Sequence, residues 1–467
     1  MKIFTFLIVL FFVLSVSAQK IDVPKVDKRV ELVGIVFRLA ETPEYSEELY
    51  KDYTDEIQKH FGRFKNHKAV ALAKELHRNG AGYSYVASLA VHLRELPDFK
   101  LVAPMNETDV AKFGGEKNIE NFLAELKNFY RDSKFEEFWA KNQPRFSLAE
   151  KNFERLARDF HPEWFDEFYG RKFEGKFKIV IGLGNGSSFY GPSVTFPDNS
   201  RHIYAVFAPF IEDGEPHLPS NALTFTVHEF NHSFANPLID KYAQKFETQG
   251  KKIFQKVEKE MTDAAYGTWR IMMYESFVRA ATNVYLLKYN PNLVAGNRAN
   301  DMFEQNFLWS DAFTDLLVNT YEKDRKTYPD LDSFVPKMSE FFTKVSETDL
   351  SFYRADFEAK CARVEKVEPF ENGASDVDSR LTEIRIVFDK PLDGKGISIY
   401  LSRREDAQFP EILDGREGIA FVNGNRELTM KVKLKPNTRY GFILSGAGFR
   451  TADGYPLKDF EVSFKTK

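Results

Sequence analysis

The chain has 467 residues and one cysteine, Cys361. This length predicts two or three domains, and a single cysteine excludes an intrachain disulfide. Hydrophobic residues make up 43%, charged residues 29%, and the formal net charge is -4. These values are typical of a globular protein and give no sign of a polyanion-binding surface. We therefore expect no nucleic-acid partner.

The first 18 residues have the pattern of a secretory signal. Lys2 precedes an apolar run, and small residues ending at Ala18 form a cleavage site before Gln19. The run is short for a membrane-spanning helix, although a retained anchor is the alternative. No cysteine lies near the cleavage site, which excludes lipidation there. We expect a secreted or periplasmic protein with no transmembrane segment after signal cleavage.

Residues 19–175 are predicted to be mainly helical. HKAVALAKELH has apolar residues at helical spacing, and aromatic residues recur at three- and four-residue steps over residues 118–169. Near the start, RVELVGIVFRLA is dense enough in apolar residues for a buried strand, and its periodicity does not exclude a helix.

Two strands are predicted next, FKIVIGL at 177–183 and HIYAVF at 202–207, because both are rich in β-branched and aromatic residues. The GLGNGSSFYG stretch between them resembles a phosphate-binding loop only superficially. It lacks GKS or GKT, and no helix pattern follows it directly. We predict a turn or a loop of a substrate cleft there.

The stretch TFTVHEFNHSFANP follows these strands and contains an HExxH pattern made by His228, Glu229 and His232. On a helix, residues four apart lie on one face, so both imidazoles can reach one metal ion. Glu229 can then accept a proton from metal-bound water without being a ligand. The helix is predicted to end near Pro237. The alternative is a buried helix with two hydrogen-bonded histidines.

A catalytic zinc site with two histidines needs a third protein ligand and an open position for water. His232 is the last of the nine histidines, so a later ligand must be a carboxylate. The metzincin extension is absent, because Ala235 and Leu238 occupy the positions of its glycine and third histidine.

Glu275 is the candidate for the third ligand. It lies in WRIMMYESFVRAATNVY, part of a long helical pattern at 253–287, where an unpaired buried carboxylate is costly. An ion pair with Arg279, four residues later, is one alternative. A ligand among Glu258, Glu260 and Asp263 is another. The candidates for stabilising an oxyanion are Tyr266, Tyr274, Arg279 and Tyr285.

From about Val367 the pattern changes to short strands. TEIRIVFD alternates apolar and polar residues, and KGISIYLS, ELTMKVKL, RYGFILSG and DFEVSFKTK follow, separated by NGN and DG turns. Short strands with no helix between them predict a β-sandwich of about 100 residues.

The HEFNH and YESFVRA motifs together resemble the gluzincin metallopeptidases over roughly residues 177–290. This resemblance implies that His228, His232 and Glu275 bind Zn²⁺ and that Glu229 is the general base. The whole chain resembles a family of secreted bacterial HExxH proteins, the domain-of-unknown-function family DUF4932. The phrase LKPNTRYGFILSGAGFRTADGYPL is similar to bacterial Ig-like modules.

We therefore predict an α+β protein with a signal peptide at 1–18, a mainly helical region at 19–175, a zincin-like catalytic region at 176–365 and an Ig-like β-sandwich at 366–467. The predicted function is that of a secreted zinc metallopeptidase acting on a protein or peptide substrate. One alternative is a non-catalytic surface or glycan-binding protein on the same scaffold, and another is a zinc hydrolase of non-peptide amides. An intact Glu229 favours an enzyme, because a scaffold has no need of a base.

Overall fold

The computed structural model describes residues 21–467 as an α+β chain with helices in its N-terminal part and sheets in its C-terminal part. The predicted signal peptide at 1–18 lies outside the described residues. Within 21–467, no helix combines the length and the apolar character that crossing a bilayer requires.

The chain forms two compact units, and each is assembled from separate segments. Unit 1 comprises the described residues up to Pro162, with Glu174–Ser188 and Ser193–His217. Unit 2 comprises Glu163–Phe173, Phe189–Pro192 and Leu218–Lys467. The predicted boundary at residue 176 therefore differs from the observed division. Residues 177 and 180 belong to unit 1 because they form β-bridges with residues 21 and 25, near the start of that unit.

Unit 1 contains eight of the described α-helices and a small sheet. Its helices are α1 Lys28–Leu39, α2 Pro43–Ser46, α3 Lys51–Phe61, α4 Lys68–Arg78, α5 Ser84–His92, α6 Glu107–Lys112, α7 Glu116–Asp132 and α8 Phe135–Asp159. Its strands are β1 Gly175–Ile181, β2 Ser193–Thr195, β3 Arg201–Phe207, β4 Ile211–Glu212 and β5 Glu215–Pro216. The order in the sheet is β1-β3-β2, with β1 and β3 parallel and β2 antiparallel to β3. Both strands predicted in this region are confirmed.

The stretch RVELVGIVFRLA forms helix α1, so the buried strand is wrong and the helix that its periodicity left open is correct. Five of its apolar side chains are fully buried: Leu32, Val33, Ile35, Val36 and Phe37. A helix that is buried on nearly every side shows little amphipathic period, so the sequence pattern resembled that of a buried strand. The start of α1 is set by Asp27, whose carboxylate accepts a hydrogen bond from the Arg29 backbone N–H at 2.9 Å.

The GLGNGSSFYG loop follows β1, and its first part belongs to unit 1. The backbone N–H of Gly184 donates to the buried carboxylate of Glu31 at 3.3 Å. This N–H group already donates to a carboxylate and is not open to a phosphate, which agrees with a structural turn and not with a phosphate-binding loop.

Unit 2 contains the remaining described helices and strands. Its helices are α9 Glu163–Tyr169, α10 Ala222–Lys241, α11 Ala243–Asp263, α12 Trp269–Tyr289, α13 Pro291–Ala299, α14 Ser310–Leu316, α15 Leu331–Glu347 and α16 Leu350–Lys360, with π-helical turns at Asn300–Glu304 and Leu317–Tyr321. Its strands are β6 Val364–Glu368, β7 Glu383–Phe388, β8 Ile399–Leu401, β9 Glu411–Ile412, β10 Ile419–Val422, β11 Glu427–Lys433, β12 Arg439–Leu444 and β13 Phe460–Lys465.

Two sequence predictions about the helices of unit 2 are corrected. Helix α10 does not end near Pro237 but continues to Lys241. The proline removes one backbone hydrogen bond, but Leu238 and Ile239 beyond it are buried, at 3% and 0% exposed, which holds the last turn in place. The long helical pattern at 253–287 is two helices, α11 and α12, because the chain turns at Ala265, where φ is +67°.

The C-terminal strands predicted from the sequence are confirmed. They form one antiparallel sheet of order β10-β11-β7-β6, with β9 beside β11, and a second of order β13-β12-β8. Side chains of both sheets meet in one hydrophobic cluster, which includes Ile386, Met430, Phe442 and Val462. The alternation of apolar and polar residues along each strand explains this arrangement, because alternate side chains point to the same face.

Candidate metal centre

His228, Glu229 and His232 lie in the middle of α10. Within residues 21–467, they are the one group of three or more His, Cys, Asp or Glu residues whose possible ligand atoms all lie within 4.8 Å of one another. The two histidine rings are 5.0 Å apart between centroids, and their planes are inclined at 79°. Their side chains keep 18% and 17% of their surface exposed. Both imidazoles therefore face the same accessible side of a helix that is otherwise largely buried.

Glu275 on α12 meets both histidines. Its Oε2 atom lies 3.4 Å from His228 Nε2, and its Oε1 atom lies 3.3 Å from His232 Nε2. Oε2 is buried and makes no hydrogen bond with the described residues. These separations exceed the usual N–H···O distance. They match the spacing of about 3.3–3.4 Å between two ligands of one tetrahedral zinc ion, given metal–ligand bonds of about 2.0–2.1 Å. The donor set and its spacing thus fit a divalent metal ion.

Arg279 contacts Glu275, and Asp301 in turn contacts Arg279. Arg279 Nη2 lies 3.4 Å from Glu275 Oε2, and its Nη1 donates to Asp301 Oδ1 at 2.7 Å. Asn283 Nδ2 and Ser310 Oγ also donate to Asp301, at 3.2 and 3.3 Å. The ion pair predicted between Glu275 and Arg279 therefore exists together with the contacts to the histidines. The shorter contact of Arg279 is with Asp301, which holds the guanidinium beside Glu275.

The buried charges of this cluster do not balance. Glu229, Glu275 and Asp301 are three carboxylates, Arg279 is one guanidinium, and all four residues are buried. With these groups ionised, two negative charges remain in excess. Buried charge is costly unless it is compensated, and a divalent cation between the ligands would neutralise this excess.

The hydrogen bonding of His232 suits a metal ligand. Its Nδ1 atom lies 3.2 Å from Oδ1 of Asn236, which is four residues later on α10. A proton on Nδ1 that is donated to this oxygen leaves Nε2 unprotonated, and an unprotonated nitrogen is the form that binds a metal. Asn236 thereby orients the ring as well as selecting its tautomer.

The pKa values of the cluster reflect burial and close charges in the protein without an ion. Burial raises the pKa of Glu229, although the nearby His228 and His232 oppose the rise. Burial also acts to raise the pKa of Glu275, but the two histidines and Arg279 outweigh it and lower that pKa. Burial acts to lower the pKa of His228, but the close contact with the Glu275 carboxylate outweighs it and raises that pKa. Glu275 therefore stays ionised beside the two rings.

Tyr266 lies in the turn between α11 and α12 and is brought to the cluster by Arg279. The Nη2 atom of Arg279 donates to the Tyr266 hydroxyl oxygen at 3.0 Å. Burial, with the negative charge of Glu275, raises the pKa of Tyr266, so the phenol is protonated at neutral pH. Because its oxygen accepts from Arg279, its own proton is available for a third group.

The other tyrosines predicted near the site lie elsewhere. Tyr285 is fully buried in a core of aromatic rings, 5.2 Å from the ring of Trp164. It is ten residues after Glu275 on the same helix, about 15 Å along the axis, so its assignment to the site is corrected. The hydroxyl of Tyr274 donates to Asp240. The alternative ligands on α11, Glu258, Glu260 and Asp263, are exposed to solvent.

Gly191, in the segment that precedes β2, passes directly against Glu229. A Cβ atom placed on Gly191 would lie 2.4 Å from the Glu229 carbonyl oxygen and 3.0 Å from Glu229 Oε2. Only glycine therefore fits at this position with the backbone as it stands. The backbone of this segment forms one side of the space around the Glu229 carboxylate.

Three of these functional residues, Asp301, Asn236 and Gly191, were not found from the sequence. Asn236 has a recognisable signal, because it lies one helical turn after a predicted ligand. Asp301 and Gly191 are distant from the motif in sequence, and only the tertiary structure shows their contacts.

The fold and the cluster define an α+β protein with a His–Glu–His centre on one helix and a second glutamate on another. The chain belongs to the family described as Domain of unknown function (DUF4932), whose model matches residues 23–341. No curated protein matches this chain.

Three solved structures of a surface layer protein, SbsC, match with low similarity. The structure of surface layer protein SbsC, domains 1-6, is 14% identical, with 94% of this chain and 46% of that chain covered and a TM-score of 0.18. The N-terminal part of the bacterial S-layer protein SbsC is also 14% identical, with 85% and 79% covered and a TM-score of 0.17. This chain thus spans about half the length of the first structure. TM-scores this low establish no common fold.

Proposed function

We propose that this protein is an exported zinc-dependent peptidase with a zincin-like catalytic region. The observation that carries the proposal is the contact of Glu275 with both histidines of the HExxH motif, at 3.4 and 3.3 Å. In this proposal His228, His232 and Glu275 are the metal ligands. A Zn²⁺ ion held by them would supply Lewis acidity to a water molecule and to the carbonyl group of the substrate.

Glu229 is the proposed general base. Its carboxylate is buried, lies beside the ligands, and is not needed to complete the set of three. It accepts a proton from the attacking water and passes that proton to the amine that leaves.

Tyr266 is the proposed donor to the oxyanion that develops on the substrate carbonyl. Its hydroxyl is fixed by Arg279, and its proton is retained at neutral pH. Arg279 has a positioning role, because it contacts Glu275 and Tyr266 at the same time and is itself held by Asp301.

We further propose that residues 366–467 form an Ig-like module and that residues 1–18 direct export. Two antiparallel sheets that share one hydrophobic core support the first proposal. The charged start, apolar run and small-residue cleavage site support the second.

Elemental analysis and one pair of variants test the catalytic proposal. We expect about one zinc ion per chain in the purified protein, as a single three-ligand site requires. Glu229→Gln should keep the zinc and lose hydrolysis of a peptide mixture followed by mass spectrometry. His232→Ala should lose both. Wild-type protein that binds no zinc, or that hydrolyses no peptide when loaded with zinc, would contradict the proposal.

A further inference from the structure

Residues 300–311, the linking segment, connect α13 with the start of α14 and pack against the candidate metal centre. The centre of the Phe307 ring lies 4.6 Å from the Arg279 guanidinium carbon and 5.7 Å from the centre of the Tyr266 ring. Phe307 is fully buried. A guanidinium is attracted to an aromatic face, and this attraction adds to the ion pair that Arg279 makes with Asp301. The linking segment therefore holds Arg279 through one ionic and one aromatic side chain.

A second attachment joins the linking segment to α12 next to a proposed metal ligand. The indole Nε1 of Trp309 donates to Ser276 Oγ at 3.0 Å, and Ser276 directly follows Glu275. Both of these bonded side chains are completely buried. The segment is also closed on itself, because the Phe307 backbone N–H donates to the Asp301 carbonyl oxygen at 2.9 Å. A shift of the segment would therefore disturb both of its contacts with α12.

Asp311 ends the linking segment, and its buried carboxylate has three partners. Arg298 Nη1 lies 3.2 Å from Oδ1, and Lys360 Nζ donates to Oδ2 at 3.1 Å. The hydroxyl of Tyr455 donates to the same Oδ2 at 3.3 Å. The two cations also lie over the Tyr455 ring, at 4.7 and 5.4 Å from its centre. Tyr455 lies between β12 and β13, so a residue of the C-terminal strand region fixes this end of the segment.

Tyr455 also supports the other end of the linking segment. It shares a buried apolar cluster with Met302, Phe357 and Cys361. Met302 is in the π-helical turn Asn300–Glu304, directly after Asp301. π-helical turns are rare and are frequent at functional sites. One tyrosine of the C-terminal region therefore contacts the linking segment both beside the residue that holds Arg279 and at its far end.

From these contacts we infer that Tyr455 is a positioning residue for the metal centre and that it acts through the linking segment. The inference rests on the proposed function, because Arg279 contacts a ligand and the oxyanion donor of that proposal. Loss of the Tyr455 side chain removes a donor from Asp311 and a packing partner from Met302. The segment can then relax away from α12, and the guanidinium loses its alignment. The C-terminal region thus supports the metal centre as well as its own core.

The first test compares zinc binding in two tyrosine variants by competition with a chelator. Tyr455→Leu keeps an apolar side chain but loses the hydroxyl and the aromatic face. We expect its zinc Kd to rise about 2- to 30-fold, the range for residues that act on a site through their neighbours. Tyr440→Leu is the matched control, because Tyr440 is a buried tyrosine of β12 whose hydroxyl accepts from the Lys435 N–H at 2.7 Å and whose ring stacks on Phe464. Its Kd should not change, and equal Kd values in the two variants would overturn the inference.

A double-mutant cycle tests whether Tyr455 acts through the linking segment. In Asp301→Asn the ionic contact between the segment and Arg279 is already lost. Adding Tyr455→Leu to this variant should therefore leave the zinc Kd within about twofold of the value for Asp301→Asn alone. Effects of distant residues that share no partner add. A double variant whose Kd reflects the full sum of both effects would overturn the inference.

Amide hydrogen exchange of the metal-free protein separates this inference from the proposed function. Tyr455→Leu should exchange faster than the wild type in residues 300–311 and in α12, and Tyr440→Leu should not. If the wild type binds no zinc or cleaves no peptide, the proposed function fails, and the exchange comparison still decides the role of Tyr455. Unchanged exchange in α12 would overturn that role. If Tyr455→Leu does not fold, Tyr455→Phe and Tyr440→Phe replace the leucine variants in every comparison, with the same criteria.

Discussion

The role of Asp301 gives the sharpest prediction, because this residue contacts no proposed ligand. Asp301 holds Arg279 at 2.7 Å, whereas Arg279 lies 3.4 Å from Glu275. In Asp301→Asn the guanidinium loses its closer ionic partner. Glu275 is then the remaining carboxylate in contact with it, so the guanidinium competes with the metal ion for Glu275. We expect Asp301→Asn to weaken zinc binding although no ligand has changed.

The magnitude follows from general values for groups that orient a metal ligand. Loss of such a partner lowers metal affinity by about 10- to 100-fold. At a free zinc concentration near 100 times the wild-type Kd, zinc stabilises the wild-type protein by about 2.7 kcal/mol. A site with 100-fold weaker affinity gains only about 0.4 kcal/mol under the same conditions. The zinc-dependent part of the stability should therefore largely disappear.

Calorimetric unfolding with and without zinc measures this difference, and competition with a chromophoric chelator measures the Kd. Asp301→Asn is also expected to destabilise the metal-free protein by about 1–3 kcal/mol, because the buried guanidinium loses its closer ionic partner and keeps only Glu275 at 3.4 Å. Comparing each variant with and without zinc removes this contribution. Asp332→Asn is the control, because it removes a partly exposed carboxylate that pairs with Lys241. An unchanged zinc Kd in Asp301→Asn would refute the positioning role.

Three further predictions concern other parts of the chain. Burial raises the pKa of Glu31 to about 7 from 4.5, so between these pH values the folded state holds a proton that the unfolded state has lost. The free energy of unfolding should therefore fall by about 3 kcal/mol as pH rises through this range. Denaturant unfolding at pH 5 and pH 8 should show this fall in the wild type but not in Glu31→Gln. Gly191→Ala should lower peptide turnover at least about tenfold with zinc retained, because the new methyl group collides with Glu229. Arg298→Met should destabilise the protein by about 1–3 kcal/mol in denaturant unfolding, because the buried Asp311 loses a cation at 3.2 Å and keeps only the Lys360 cation at 3.1 Å.

Controls for these variants come from the same chain. Gly296→Ala is matched to Gly191→Ala, because a Cβ at Gly296 meets no atom within 4 Å, and it should leave turnover unchanged. Arg439→Met removes an exposed ion pair with Asp406 and should cost less than about 1 kcal/mol. A Glu31→Gln variant whose stability has the same pH dependence as the wild type would contradict the assignment of that titration to Glu31. Equal turnover in Gly191→Ala and Gly296→Ala would contradict the collision with Glu229. Equal destabilisation by Arg298→Met and Arg439→Met would contradict the stabilising role of the buried ion pair.

The strands were predictable from the sequence where apolar and polar residues alternate, or where β-branched and aromatic residues are concentrated. The alternation in the C-terminal strands and the composition of β1 and β3 identified them correctly. For α1 the pattern favoured a strand and left a helix open, because the helix is buried on nearly every side. Helix α10 continues past its predicted end because its proline is tolerated within a packed helix. In both cases tertiary burial outweighed a local rule.

The sequence by itself determined the two histidines and the glutamate of the HExxH motif, because residues four apart on a helix share a face wherever that helix lies. It also narrowed the third candidate ligand to an acidic residue, since no histidine follows His232. Only the tertiary structure decided that Glu275 meets both rings, that Asp301 fixes Arg279 and that Gly191 lies against Glu229. These contacts join residues that are far apart in the chain, and their distances depend on how α10, α12 and the connecting segments pack, which no local pattern encodes.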